Sequence, residues 1–119
     1  MKKTEILLIS SPHFKNNMEV DEILVDDTSI VPSSSACNIG IVFDDVMCMN
    51  KQVSAICTSA NYHLRNIGRI HRHITYKACE QLIHAFITTR LDCGNAVLFG
   101  MSDIQLNHLQ RILNSAARI

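Results

Sequence analysis

Asn38-Ile39-Gly40-Ile41-Val42-Phe43-Asp44-Asp45-Val46-Met47-Cys48-Met49-Asn50-Lys51-Gln52-Val53 holds the point at which the hydrophobic period of this chain changes. Its first six residues read as one strand, with Gly40 marking a bulge or a close backbone approach. From about residue 49 onward the apolar positions move to helical spacing: Val53, Ile56, Ala60, Leu64 and Ile67, with Gly68 as the stop. Strand pattern before this point and helix pattern after it predict an α+β chain, a small antiparallel sheet of two to four strands followed by three α-helices. The division falls between residues 1–48 and 49–119.

Toward the N-terminus, Glu5-Ile6-Leu7-Leu8-Ile9 is a short apolar run ended by Ser10-Ser11-Pro12, the pattern of a strand buried on both faces. Ile23-Leu24-Val25 and Ile30-Val31 flank Asp26-Asp27-Thr28-Ser29, which reads as a hairpin with its turn there. Toward the C-terminus, a second helix is expected after Thr75, with Ala78, Leu82, Ala85 and Phe86 on one face, running to about Arg90 before Gly94 and Asn95. The third begins at Ser102, whose hydroxyl and the Gln105 side chain are spaced for a capping box. Leu106, Leu109, Leu113 and Ala116 form its expected buried stripe.

The chain has room for one domain, and its 47% hydrophobic content argues against wholesale disorder. A net charge of zero conceals a division, because residues 1–50 carry three bases against eight acids and residues 51–119 carry eight against three. The basic half also holds five of the six histidines. It is the half compatible with phosphate, although the two halves could equally neutralise each other. The five cysteines (Cys37, Cys48, Cys57, Cys79, Cys93) form no CxxC pair, so the spacing supports neither a zinc knuckle nor a redox motif. Met1-Lys2-Lys3 is followed by a run interrupted at Glu5, unlike a secretory signal, and no stretch approaches the roughly 20 apolar residues of a membrane span. Reduced cysteines in the cytoplasm or nucleus, without secretion or membrane partner, are the expectation.

Asp26-Asp27 imitates the paired aspartates that hold two magnesium ions in polymerases, following Leu24-Val25. Two-metal chemistry needs a further carboxylate from an earlier strand, and only 25 residues precede the pair, so a solvated turn is the reading; Asp44-Asp45 is read the same way. His71-Arg72-His73 lacks further ligands at a recognised spacing, and His63, His84 and His108 fall within helices. No nucleophile elbow and no glycine-rich phosphate loop occurs, so neither an active site nor a cofactor is expected. Arg65, Arg69 and Arg72 stand at i, i+4 and i+7, where a continuous helix would align them to follow a phosphate backbone; the bland reading is a solvated face.

Ala60-Asn61-Tyr62-His63-Leu64-Arg65-Asn66-Ile67 and Leu82-Ile83-His84-Ala85-Phe86-Ile87-Thr88-Thr89-Arg90-Leu91-Asp92 resemble the region just downstream of the catalytic palm in reverse transcriptases of LINE-type (jockey-like, non-LTR) retrotransposons. Lys3-Thr4-Glu5 looks like that family's strand after the catalytic hairpin. Asn38-Ile39-Gly40-Ile41-Val42-Phe43-Asp44 is similar to its Asn-Leu-Gly-Val-x-x-Asp segment, the primer-grip strand. Leu98-Phe99-Gly100, Leu109-Gln110-Arg111 and Asn114-Ser115-Ala116-Ala117-Arg118 complete the pattern. Where the family reads Leu-Asp-Tyr-Cys-Asn, this chain has Leu91-Asp92-Cys93-Gly94-Asn95, losing an aromatic packing residue and gaining a glycine, which inside a helix costs about 1 kcal/mol.

The resemblance implies that residues 1–48 are the end of a palm and 49–119 a thumb-like helical region, with the catalytic aspartates upstream of both. It implies a non-catalytic fragment of an RNA-directed DNA polymerase that holds an RNA/DNA primer–template weakly and without sequence preference. The backbone at Asn38 and Gly40 and the side chains of Arg65, Arg69 and Arg72 would make the contacts. A repurposed protein-interaction module, docking a partner on the former palm-facing surface, is the alternative, as is a remnant without selected function.

Overall fold

Asp26 and Asp27 both adopt positive φ (46° and 62°), and this reverses the chain in two residues. That is the signature of a type I′ turn, whose twist matches the strands it joins. β1 (Ile23–Val25) and β2 (Thr28–Ile30) pair antiparallel across it, Val25 opposite Thr28 and Ile23 opposite Ile30. The turn is thus shorter than the four-residue Asp26–Ser29 reading, since Thr28 and Ser29 already belong to β2. The computed structural model describes residues 4–17 and 20–119, so Lys3, where the Lys3-Thr4-Glu5 match begins, lies outside them.

A second hairpin follows. β3 (Ser35–Asn38) pairs with β4 (Ile41–Asp44), Asn38 opposite Ile41 and Ser35 opposite Asp44. Its turn is Ile39-Gly40, again with both φ positive (53° and 78°). The single strand expected over Asn38–Phe43 is therefore two strands and a reversal. Gly40 serves the turn rather than a bulge or a close approach, for a Cβ built on it meets nothing within 4 Å. The fold is α+β, with two separate two-stranded antiparallel sheets in place of one.

Glu5–Ile9 does not form the expected doubly buried strand. Leu7 makes an isolated parallel bridge to Ser33, and Ile9 is 56% exposed. Neither hairpin extends beyond two strands, so this run has no sheet to enter. It is pinned instead by Ser33 N–H to the Ile6 carbonyl (2.8 Å) and by Ser10 N–H to the Asp45 carbonyl (3.0 Å). A four-residue helix, α1 (Pro12–Lys15), opens with Pro12, which needs no N–H there.

The chain divides into two units, Met1–Lys51 and Gln52–Ile119. Among the described residues of the first, Met49 is the buried hydrophobic and Asp44 the buried polar residue. The second unit carries the core, built by Ala60, Leu64 and Ile67 of α2 (Asn50–Ile70), Cys79 of α3 (Tyr76–Ile83), Ile87, and Ile112 and Ala116 of α5 (Asp103–Ala116). All five residues of the expected α2 stripe are buried. Gly68 does not stop the helix, which passes through it to Ile70 and tightens into a 3-10 turn at His71–His73. His71 Nδ1 lies 2.7 Å from the Gly68 carbonyl, so the imidazole satisfies a carbonyl that the helix end would leave open.

Helix α3 starts where expected, the Thr75 hydroxyl accepting the Ala78 N–H at 3.3 Å. It passes into a π-turn, His84–Thr88, and then α4 (Thr89–Asp92). The Thr89 N–H bonds the His84 carbonyl five residues back, and its hydroxyl reaches the carbonyls of His84 and Ala85. One extra residue in the turn moves the inward position from Phe86 to Ile87, which is fully buried. The expected stripe is corrected accordingly: Ala78 and Leu82 are half-buried, while Ala85 and Phe86 are exposed.

Gly94 stands beyond the end of α4 with φ of 77°, outside any helix, so the expected helical penalty does not arise. On α5, the Ser102 N–H donates to the Gln105 side-chain oxygen at 3.1 Å, one arm of the capping box. Its buried residues are Gln105, Ile112 and Ala116, whereas Leu106 and Leu113 are 49% and 40% exposed. Two apolar stripes overlap on this helix, and packing selects the one containing Ile112. Among the described residues no helix is long and apolar enough to cross a membrane.

Candidate nucleic-acid interface

The buried side of α2 fixes which residues face away from it. With Ala60, Leu64 and Ile67 turned to the core, a rotation of about 100° per residue puts Tyr62, Arg65 and Arg69 on the opposite side, within about 60° of arc. Because α2 continues through Gly68, Arg65 and Arg69 share one uninterrupted helical face. Arg72 follows in the 3-10 turn, displaced by only a few tens of degrees. All three arginines are exposed. The ion pairs seen among the described residues, Lys15–Asp45 and the 4.0 Å His84–Glu80 contact, involve none of them. Their charge is available to a ligand.

Three rings adjoin this face. His63 stacks on Phe86 with centroids 4.8 Å apart and planes at 17°, and Tyr62 meets His63 edge-on at 5.4 Å and 76°. Tyr62 is 64% exposed and Phe86 41%. The sequence puts His63 within the helix but does not reveal its contacts with Tyr62 and Phe86. Tyr62 could have been found from its spacing, three and seven residues before Arg65 and Arg69. Phe86 could not, because the π-turn brings it outward.

Asn38 and Gly40 lie together at the tip of the second hairpin, both exposed. They belong to Met1–Lys51, and the arginines to Gln52–Ile119. Each group is gathered within its own unit.

The carboxylate pairs differ from each other. Asp26-Asp27 forms an exposed turn. Asp44-Asp45 is not the solvated turn its sequence suggests. Asp44 is 4% exposed and accepts the Cys48 N–H at 2.8 Å and the Cys48 thiol at 3.0 Å. Asp45 bonds Lys15, and this hydrogen bond holds its carboxyl below the ordinary value of 3.8. Among the described residues no three His, Cys, Asp or Glu side chains gather as metal ligands would. The chain matches no family model, no curated protein and no solved structure.

Proposed function

We propose that this chain is a non-catalytic fragment of a retrotransposon RNA-directed DNA polymerase, spanning the end of the palm and a thumb-like region, and that it holds nucleic acid weakly without sequence preference. The family assignment rests on the residue patterns set out above. The binding role rests on one observation: Arg65, Arg69 and Arg72 are exposed on one side of α2 and its 3-10 extension, outside the ion pairs of the described residues. Three such cations displace counterions from a phosphate backbone, which makes binding steeply salt-dependent.

The test is fluorescence anisotropy with a labelled oligonucleotide of arbitrary sequence. Three phosphate contacts predict a loss of about 20-fold for a single strand between 50 and 200 mM salt. Replacing Arg65, Arg69 and Arg72 together with Gln should flatten that dependence. An unchanged salt slope in the triple variant would refute the assignment.

A second reading, a protein-interaction module, is favoured by a different surface. Leu106 and Leu113 of α5, with Leu91, Leu98, Phe99 and Leu109, line a groove of about 530 Å³, and Phe99 is 94% exposed. An apolar interface there would respond little to salt, whereas oligonucleotide binding through the arginines weakens steeply.

A further inference from the structure

The arginine face also carries an aromatic ring, and the two together select a kind of nucleic acid. We propose that Tyr62 is a base-stacking platform and that the α2 face therefore recognises single-stranded rather than duplex nucleic acid; this rests on the phosphate-binding reading above.

Tyr62 stands on the same side of α2 as Arg65 and Arg69, which follow it within about 10 Å along the helix axis. Its ring is 64% exposed. The T-shaped contact with His63 occupies at most one of its faces, leaving another open to a flat ligand. The same contact restrains the ring. His63 is itself held against Phe86 by a near-parallel stack, so Tyr62 is positioned by a three-ring run whose far member sits in the π-turn. The helix beneath is anchored by Ala60 and Leu64, 0% and 7% exposed. A stacking group borne on a packed helix loses little freedom on binding.

Cations beside an exposed aromatic ring match the chemistry of a single strand. Its phosphates meet the arginines while an unstacked base lies on the ring, and every base offers a π-face, so no sequence is preferred. In a duplex the base faces are already stacked on one another, and the ring has nothing to receive. The arginines alone would bind both forms, and Tyr62 supplies the difference.

The intact chain is titrated with a labelled 20-nucleotide oligo-dT, with oligo-U and with a 20-base-pair duplex at low salt, as wild type, Tyr62→Ala and Tyr62→Phe. Tyr62→Ala should weaken single-strand binding about fivefold or more and leave duplex binding unchanged, while Tyr62→Phe keeps the wild-type preference. Circular dichroism should show both variants folded, since the ring is largely solvent-exposed. Salt-dependent binding to both forms with no selective loss in Tyr62→Ala would overturn the stacking role and leave the arginine reading standing. Failure of the wild type to bind either form would overturn both.

Discussion

The buried carboxylate of Asp44 holds Cys48 at two points, accepting its backbone N–H at 2.8 Å and its thiol at 3.0 Å. The segment is conformationally costly, because Met47 within it and Met49 just beyond it both take positive φ, 54° and 57°. The carboxylate offsets that strain by fixing the loop that leads into α2. Asp44→Ala removes the acceptor and leaves the Cys48 N–H without this partner, a loss of about 1–3 kcal/mol. Urea denaturation of wild type and variant measures it, and equal midpoints would show that the loop does not depend on Asp44.

Ile39 occupies the first turn position of the second hairpin at φ of 53°, a region that β-branched side chains avoid, and its side chain is 88% exposed. Little packing is lost on replacing it. Ile39→Asn creates the Asn-Gly pair preferred in type I′ turns and should stabilise the hairpin by about 1 kcal/mol. Slower amide exchange of Ile41 and Phe43, whose pairs with Asn38 and Ala36 are the hydrogen-bonded ones of the ladder, would register the gain. Faster exchange would mean that Ile39 packs in a way its exposure does not suggest.

Gly68 and Gly94 should respond in opposite directions to alanine. Gly68 lies within α2, and a Cβ there meets nothing within 4 Å, so Gly68→Ala should stabilise by about 0.5–1 kcal/mol. Gly94 sits at φ of 77° after α4, where alanine is strained by about 1–2 kcal/mol. Thermal melts of the two variants should move to either side of wild type.

The Lys15 ammonium, hydrogen-bonded to Asp45, depresses that carboxyl below 3.8. A depressed folded value means that the pair's contribution is complete above the unfolded carboxylate range and disappears as pH falls through the lower, folded value. The Lys15 side chain is 52% exposed and that of Asp45 15%, so solvent reaches the pair through the lysine and the effect on global stability is small. Lys15→Met should raise the Asp45 midpoint toward 3.8 in a carboxyl-resolved NMR titration. An unmoved midpoint would assign the depression to another group.

Buried hydrophobics among the described residues fall mainly in Gln52–Ile119, while Met1–Lys51 rests on two short hairpins. Two-stranded hairpins are marginal alone. Amides of the hairpins should therefore exchange well before those of α2 and α5, a difference that hydrogen-exchange mass spectrometry resolves directly.

What the sequence determined by itself is the local chemistry: the α2 stripe from Val53 to Ile67, the caps at Thr75 and Ser102, and the reversal near Asp26-Asp27. Each of these depends on residues within one or two helical turns of one another, so a short window contains the whole cause. The arginine spacing at 65, 69 and 72 was legible for the same reason. Only the tertiary structure decided which apolar stripe of α5 turns inward, that the π-turn substitutes Ile87 for Phe86 in the core, and that Asp44 is buried while Asp27 is not. Those outcomes depend on burial against elements distant in the chain. Leu106 and Ile112 are equally apolar as letters, and only the packing of α2 and α3 separates them.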